Sequence, residues 1–224
     1  MSRINIFESL RDMPYFRNYQ AVSGSVHNVS SHEDAVEDVL VTNGLASGNF
    51  KEAASKSGFS NAIVFRDVLL QGELIDSIPD NTYYSQPTGT HNSPDFIFKV
   101  EGQLYFLECK SGKGTAPMYN GGLPKENYIY HFVSQNNGAT MYMGEDIVNE
   151  AQRKLITEFE EECAKKVQEF NEKLKELDTQ KRGLQYYQRH MWQQAGGKEF
   201  TNYFTHETRE LCESKVEQRF KTSQ

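Results

Sequence analysis

The sequence predicts an α/β fold: a central mixed β-sheet flanked by helices, with a long helical C-terminal part. Three observations predict it. Residues 92–111, NSPDFIFKVEGQLYFLECKS, alternate as two apolar strands about a Glu101-Gly102 turn. Residues 128–133 (YIYHFV) and 140–143 (TMYM) are two further strand-like runs, divided by the turn signal Asn136-Asn137-Gly138. From Glu145 onward the apolar spacing changes from the period of a strand to that of a helix.

Taken in order, Ile4, Phe7, Leu10 and Met13 have helical spacing, and Pro14 ends it. The stretch NYQAVSGSVHNVS reads as loop. Ser30-Ser31 then cap a helix, HEDAVEDVLVTNG, whose apolar face is Ala35, Val36, Val39 and Leu40 and which stops at Gly44. Residues 45–62 are small, polar and glycine-containing, so they read as a loop with at most one helical turn. AIVFRDVLL (residues 62–70) is a short strand or a short helix, which periodicity alone does not separate. Pro-Asp-Asn and Pro-Thr-Gly are turn signals on either side of a short strand at Thr82-Tyr83-Tyr84.

In the 92–111 hairpin, Phe96, Phe98 and Val100 point to one side, and Asp95 and Ile97 to the other. On the second strand Leu104, Phe106, Glu108 and Lys110 share a face. Two charged groups thus end a very apolar strand, and an acid heads the strand before it. Burying them is costly without compensation, and a divalent cation would compensate the carboxylates.

Residue 128 opens a strand expected to be central in the sheet, so residues 93–143 supply four successive strands. After Glu145, Val148, Ala151, Leu155, Phe159, Cys163, Val167, Phe170, Leu174 and Leu177 form a narrow stripe without an intervening proline or glycine. A continuous helix there would be ~57 Å long, packed on one side or paired in a coiled coil. LQYYQRHMW (residues 184–192) continues it or folds back. Its Arg189 and His190, with Arg182, Tyr186, Tyr187 and Trp192, have the charge and stacking surface for nucleic acid, although helical aromatics usually pack. Gly196-Gly197 breaks the chain, and residues 206–220 form a last helix with Lys215, Arg219 and Lys221 near its end.

Composition bounds the function. The chain has 224 residues, 37% of them hydrophobic, with 14 Phe and 12 Tyr, which suits one domain with a real core. The net charge of −7 means that any nucleic acid must meet locally gathered basic groups. Cys109, Cys163 and Cys212 have neither zinc-site nor disulfide-framework spacing and fit a reducing compartment. The first residues hold no signal-like apolar run and no stretch is of membrane-span length, so a cytoplasmic protein without a membrane partner is expected. The GxxxxGK[ST] phosphate loop is absent, as are helicase, ATPase and methyltransferase motifs.

Pro94-Asp95 followed by Glu108-Cys109-Lys110 resembles the PD-(D/E)XK nuclease superfamily, over residues 31–148, and within it the type II restriction endonucleases. The resemblance implies a restriction-endonuclease-like core and Mg²⁺-dependent hydrolysis of phosphodiester bonds in double-stranded DNA. Asp95 and Glu108 would bind Mg²⁺, with the backbone carbonyl of Cys109 as a further ligand, and Lys110 would position the attacking water. Many members carry a glutamate on the helix before the sheet, at the metal or its water. Glu33 fills that role here and Glu37, one turn on, competes for it, although any acid in a first helical turn is favoured by the helix dipole.

The loops on either side of the motif are the expected DNA contacts. They are Gln86, Thr88, His91, Asn92 and Ser93 before it, and Lys113, Asn120 and Lys125 in the glycine-rich loop after it. Palindromic sites are read by two-fold dimers, so a homodimer through the long helix is expected. Two alternatives remain: another nuclease of the same core, acting in repair, recombination or on phage DNA structures, and a non-enzymatic coiled-coil interaction protein.

Overall fold

Glu101 and Gly102 both take positive φ, at 49° and 77°, which a tight two-residue hairpin turn requires. That turn sets the register of the whole sheet. The computed structural model describes residues 3–13, 30–188, 190–194, 202–205 and 207–221. Pro14, residues 18–29 of the expected loop, Arg189, the Gly196-Gly197 break and His206 lie outside the described residues, as do the side chains of Ser30 and Ser31.

The fold is α/β, with a six-stranded mixed central sheet flanked by helices. Its strands are β1 (Ala46–Ser47), β2 (Thr82–Ser85), β3 (Phe96–Val100), β4 (Gln103–Gly112), β6 (Ile129–Ser134) and β7 (Gly138–Met143), in the order β1-β2-β3-β4-β6-β7. β1 pairs parallel to β2 and β4 parallel to β6, and the other neighbours are antiparallel. The strand expected at the centre, β6, is paired on both sides but stands next to the edge strand β7, and β3 and β4 form the centre. A separate two-stranded sheet pairs β5 (Met118–Tyr119) with β8 (Trp192–Gln193).

The period-two reading of the hairpin holds. Phe96, Phe98, Val100, Tyr105 and Leu107 pack on one side of the sheet with α1 (Arg3–Arg11), α2 (Ser30–Thr42) and α6 (Arg209–Lys221), through Phe7, Leu10, Val36, Leu40 and Phe220. Ile97, Leu104 and Phe106 pack on the other side with α3 (Phe50–Lys56) and α4 (Ala62–Leu70), through Phe50, Phe65 and Leu69.

Three expectations are corrected. The 45–62 loop contains β1 and the helix α3. The Asn49 side chain accepts the Glu52 N–H at 3.2 Å, and Phe50 and Ala54 are buried one turn apart, an apolar face hidden among serines and lysines. The long helix α5 spans Glu150–Glu176, opened by a capping box between Asn149 and Gln152, and is ~40 Å long. Of the two readings left open for 184–192, continuation and return, the chain takes the return. Asp178 accepts the Gly183 N–H at 2.7 Å and turns the chain. The Asn171 side chain then bonds both backbone groups of Tyr186, at 2.9 and 2.7 Å, which holds the returning segment extended beside α5. Residues 62–70, open at the sequence level, are helical because Asn61 caps them, accepting the Ile63 N–H at 2.8 Å.

The parallel crossover from β4 to β6 carries β5 but no helix, unlike most such connections. Its end is clamped against β7: a Cβ on Gly144 would lie 1.8 Å from the Lys125 carbonyl oxygen, so only glycine fits there. Among the described residues no helix is long and apolar enough to cross a membrane.

Candidate active site

Register places the motif. β3 and β4 pair Phe96 with Leu107, which leaves Glu108 on the Ile97/Phe106 side of the sheet and Asp95 in the bend just before β3. Lys110 stands one pleat further along that side. Glu108 and Lys110 are buried, 6% and 9% exposed, and the Lys110 ammonium donates to Glu108 Oε1 at 2.5 Å. Asp95 Oδ2 accepts the backbone N–H of Cys109 at 2.7 Å.

The charges perturb one another. Burial pushes the Glu108 carboxyl up to about 7; the Lys110 ammonium pulls against this and the Asp95 charge adds to it. Burial also raises Asp95, against the ammonium of Lys110 and the N–H of Cys109. Burial alone would lower Lys110, but the charges of Glu108 and Asp95 outweigh it and hold the ammonium above its ordinary range. The pocket therefore holds more carboxylate than its one ammonium balances.

Glu33 arrives from the opposite side of the sheet, at the first turn of α2. Gln86 Nε2 donates to Glu33 Oε2 at 2.7 Å and to Asp95 Oδ1 at 3.1 Å, joining the two acids through one amide. Burial raises the Glu33 carboxyl, the Asp95 charge adds to that, and the Gln86 bond opposes it. The competitor Glu37 instead accepts the Tyr83 hydroxyl at 2.6 Å. Of the two, Glu33 is the one brought to Asp95.

A neutral histidine pair fixes that first turn. His32 Nε2 and His131 Nδ1 lie 2.8 Å apart, and His131 Nε2 lies 2.9 Å from the Leu10 carbonyl. A carbonyl only accepts, so His131 carries its proton on Nε2 and accepts from His32. Burial pushes His131 down to about 4 and His32 well below its ordinary value, which keeps both rings uncharged at neutral pH.

The predicted DNA contacts divide. Gln86 turns inward to the acids. Thr88 is half-buried and donates to the Ser93 carbonyl at 3.4 Å, and Asn92 donates to the Thr88 carbonyl at 2.8 Å. That carbonyl of Ser93 also accepts from Arg66 at 2.6 Å and from Tyr128 at 3.3 Å. His91, Asn92, Lys113, Asn120 and Lys125 present exposed side chains on the loops beside the pocket. The loop carrying Asn120 passes over the site, where a Cβ on Gly121 would lie 4.0 Å from Glu108 Oε1. The Cys109 thiol is buried on the far side of the sheet, so only its backbone faces the site chemistry.

Among the described residues no group of three or more His, Cys, Asp or Glu side chains is arranged to hold an ion. A Mg²⁺ ion does not demand one, because it binds through one or two carboxylates and keeps several waters. The donor set fits that requirement: Glu108 Oε2 is buried without a hydrogen-bond partner, beside a second carboxylate. Sequence reasoning missed Arg66, the amide bridge of Gln86 and the histidine pair. No protein-family model matches the chain, and no curated protein or solved structure matches it.

Proposed function

We propose that this protein is a Mg²⁺-dependent DNA endonuclease with a restriction-endonuclease-like core, and specifically a type II, site-specific enzyme. The observation that carries the reading is the meeting of Asp95, just before β3, with the Glu108-Cys109-Lys110 stretch of β4: Asp95 accepts the Cys109 N–H at 2.7 Å, Lys110 contacts Glu108, and Glu108 Oε2 is left without a partner in a buried pocket.

Asp95 and Glu108 would hold the ion. When bound, Mg²⁺ supplies Lewis-acid polarisation of the scissile phosphate. Lys110 contributes a fixed positive charge where the phosphorane becomes more negative, and its N–H groups orient the attacking water. Glu33, tied to Asp95 through Gln86, accepts hydrogen bonds from water on the second side of the site. The loops carrying His91, Asn92, Lys113, Asn120 and Lys125 form the DNA-facing rim, and two copies related by a two-fold axis read a palindrome.

The test is digestion of a plasmid of known sequence with Mg²⁺, with the ends mapped. Discrete fragments with common ends support the site-specific reading, whereas nicking or progressive degradation supports a repair, recombination or structure-specific nuclease of the same core. Asp95→Ala and Lys110→Ala are each expected to abolish cleavage while DNA binding persists. Wild-type cleavage in either variant removes the assignment.

A further inference from the structure

We propose that α5 and the segment folded back on it form an arm that pairs with the same arm of a second copy of this chain, the two α5 helices running antiparallel. This gives the dimer of the preceding section its contact surface, but it rests on different residues.

No residue of the 27-residue helix α5 is buried. The returning segment covers one side only. There Asn171 bonds Tyr186, and Glu160 accepts the Trp192 indole N–H at 2.9 Å. Even that side is not sealed: a cleft of about 940 Å³ remains, lined by Val167, Asn171, Leu184 and Tyr186 among others. Beside it, Leu155, Phe159, Phe170 and Leu177 are 67%, 55%, 54% and 78% exposed. At 3.6 residues per turn these four fall within about 60° of one another, so they form an apolar stripe ~33 Å long that Lys166 and Lys173 interrupt. Such a stripe on a projecting element marks a contact surface.

Charge selects the occupant and its direction. Residues 150–162 carry five acids and two bases, while residues 163–176 carry four bases and three acids. The base of the arm is thus net negative and the distal half net positive. Parallel pairing of two copies sets like against like. Antiparallel pairing sets base against tip twice, as a two-fold contact requires. The register that brings Leu155 over Leu177 of the second copy sets Glu158 over its Leu174, one residue from Lys173. Glu162 then lies over Phe170, one residue from Glu169, with Lys166 at the axis and Lys165 beside it. The apolar stripe supplies the affinity, and the charges supply the direction.

Sedimentation equilibrium of the full chain at tens of micromolar tests this without reference to cleavage. The wild type is expected to be a dimer, and a monomer would overturn the proposal. Leu155→Glu/Phe159→Glu should weaken self-association by about 100-fold with unchanged circular dichroism, since both side chains are exposed. A dimer that persists in that variant would place the contact elsewhere and overturn the arm assignment. Glu158→Lys and Lys173→Glu should each weaken it by about tenfold. Both changes in one chain should restore it, and failure to restore would overturn the antiparallel arrangement. Cleavage by a monomeric variant would leave the nuclease reading standing, and a dimer that never cleaves would leave the arm pairing standing.

Discussion

Mg²⁺ should bind this protein about tenfold more weakly at pH 6 than at pH 8, because Glu108 holds a proton there. Burial places its carboxyl at about 7, against an ordinary value of 4.5. A cation must then displace that proton. The ionised fraction is about one-eleventh at pH 6 and ten-elevenths at pH 8, a difference of ~1.4 kcal/mol in apparent binding. The raised Asp95 acts in the same direction. The sign for stability is opposite to that of an ordinary salt-bridged acid. Between pH 4.5 and 7 the folded chain keeps a proton that the unfolded chain releases. The Glu108 contribution to stability therefore falls by ~3 kcal/mol as pH rises through that window and is flat above it. Mg²⁺ binding only the folded state offsets the loss, so the shift of the melting midpoint by Mg²⁺ should grow from pH 6 to pH 8. Calorimetric titration with MgCl₂ alone, on wild type and Glu108→Gln, measures both. Equal affinity at pH 6 and pH 8, or undiminished binding in Glu108→Gln, would refute the placement of the ion at this carboxylate.

Two further outcomes follow from contacts around the site. Gln86→Leu removes the amide between Glu33 and Asp95 and leaves the two acids facing each other, so Mg²⁺ affinity should change by about tenfold while overall stability moves by less than ~2 kcal/mol; an unaltered Mg²⁺ titration would show that the bridge has no part in the site. His131→Ala leaves the His32 N–H and the Leu10 carbonyl unpaired in a buried gap, with an expected cost of ~3 kcal/mol by urea unfolding. Because the His131 value is depressed to about 4 from 6.5, its stabilising effect is present above pH 6.5 and lost as pH falls towards 4, so wild type but not His131→Ala should show that acid-side loss.

The hairpin was legible because every signal in it agreed. The alternation of Phe96, Phe98, Leu104 and Phe106 fixed the faces, the Glu101-Gly102 turn fixed the register, and together they brought Asp95 to the Glu108-Cys109-Lys110 stretch of β4. The helix over residues 50–56 was not legible, because its cap, Asn49, sits in a stretch whose serines, glycine and lysines read as loop, and its two buried residues make too short a pattern to stand out. The 184–192 segment misled for a different reason. Its composition suits a helix, and what holds it extended is a side chain fifteen residues back, Asn171, which local periodicity does not register.

The same distinction separates what was visible of the site from what was not. Glu108 and Lys110 lie on β4 and Asp95 immediately before its hairpin partner β3, so sequence spacing translates directly into spatial neighbourhood. Glu33 is fifty-three residues from Gln86, and His32 is ninety-nine from His131. Those contacts exist only once α2 has docked on the sheet, and nothing in the chain around Gln86 distinguishes an amide that bridges two acids from one that faces DNA. The positive φ of 47° at Gln86 is the structural mark of its role: a non-glycine residue held in the left-handed region turns the chain at the end of β2 and carries the amide inward. Its neighbours Asn92 and His91 stay outside. The loop before the motif therefore performs two tasks, with its first residue building the acidic pocket and the exposed residues after it left to meet a ligand.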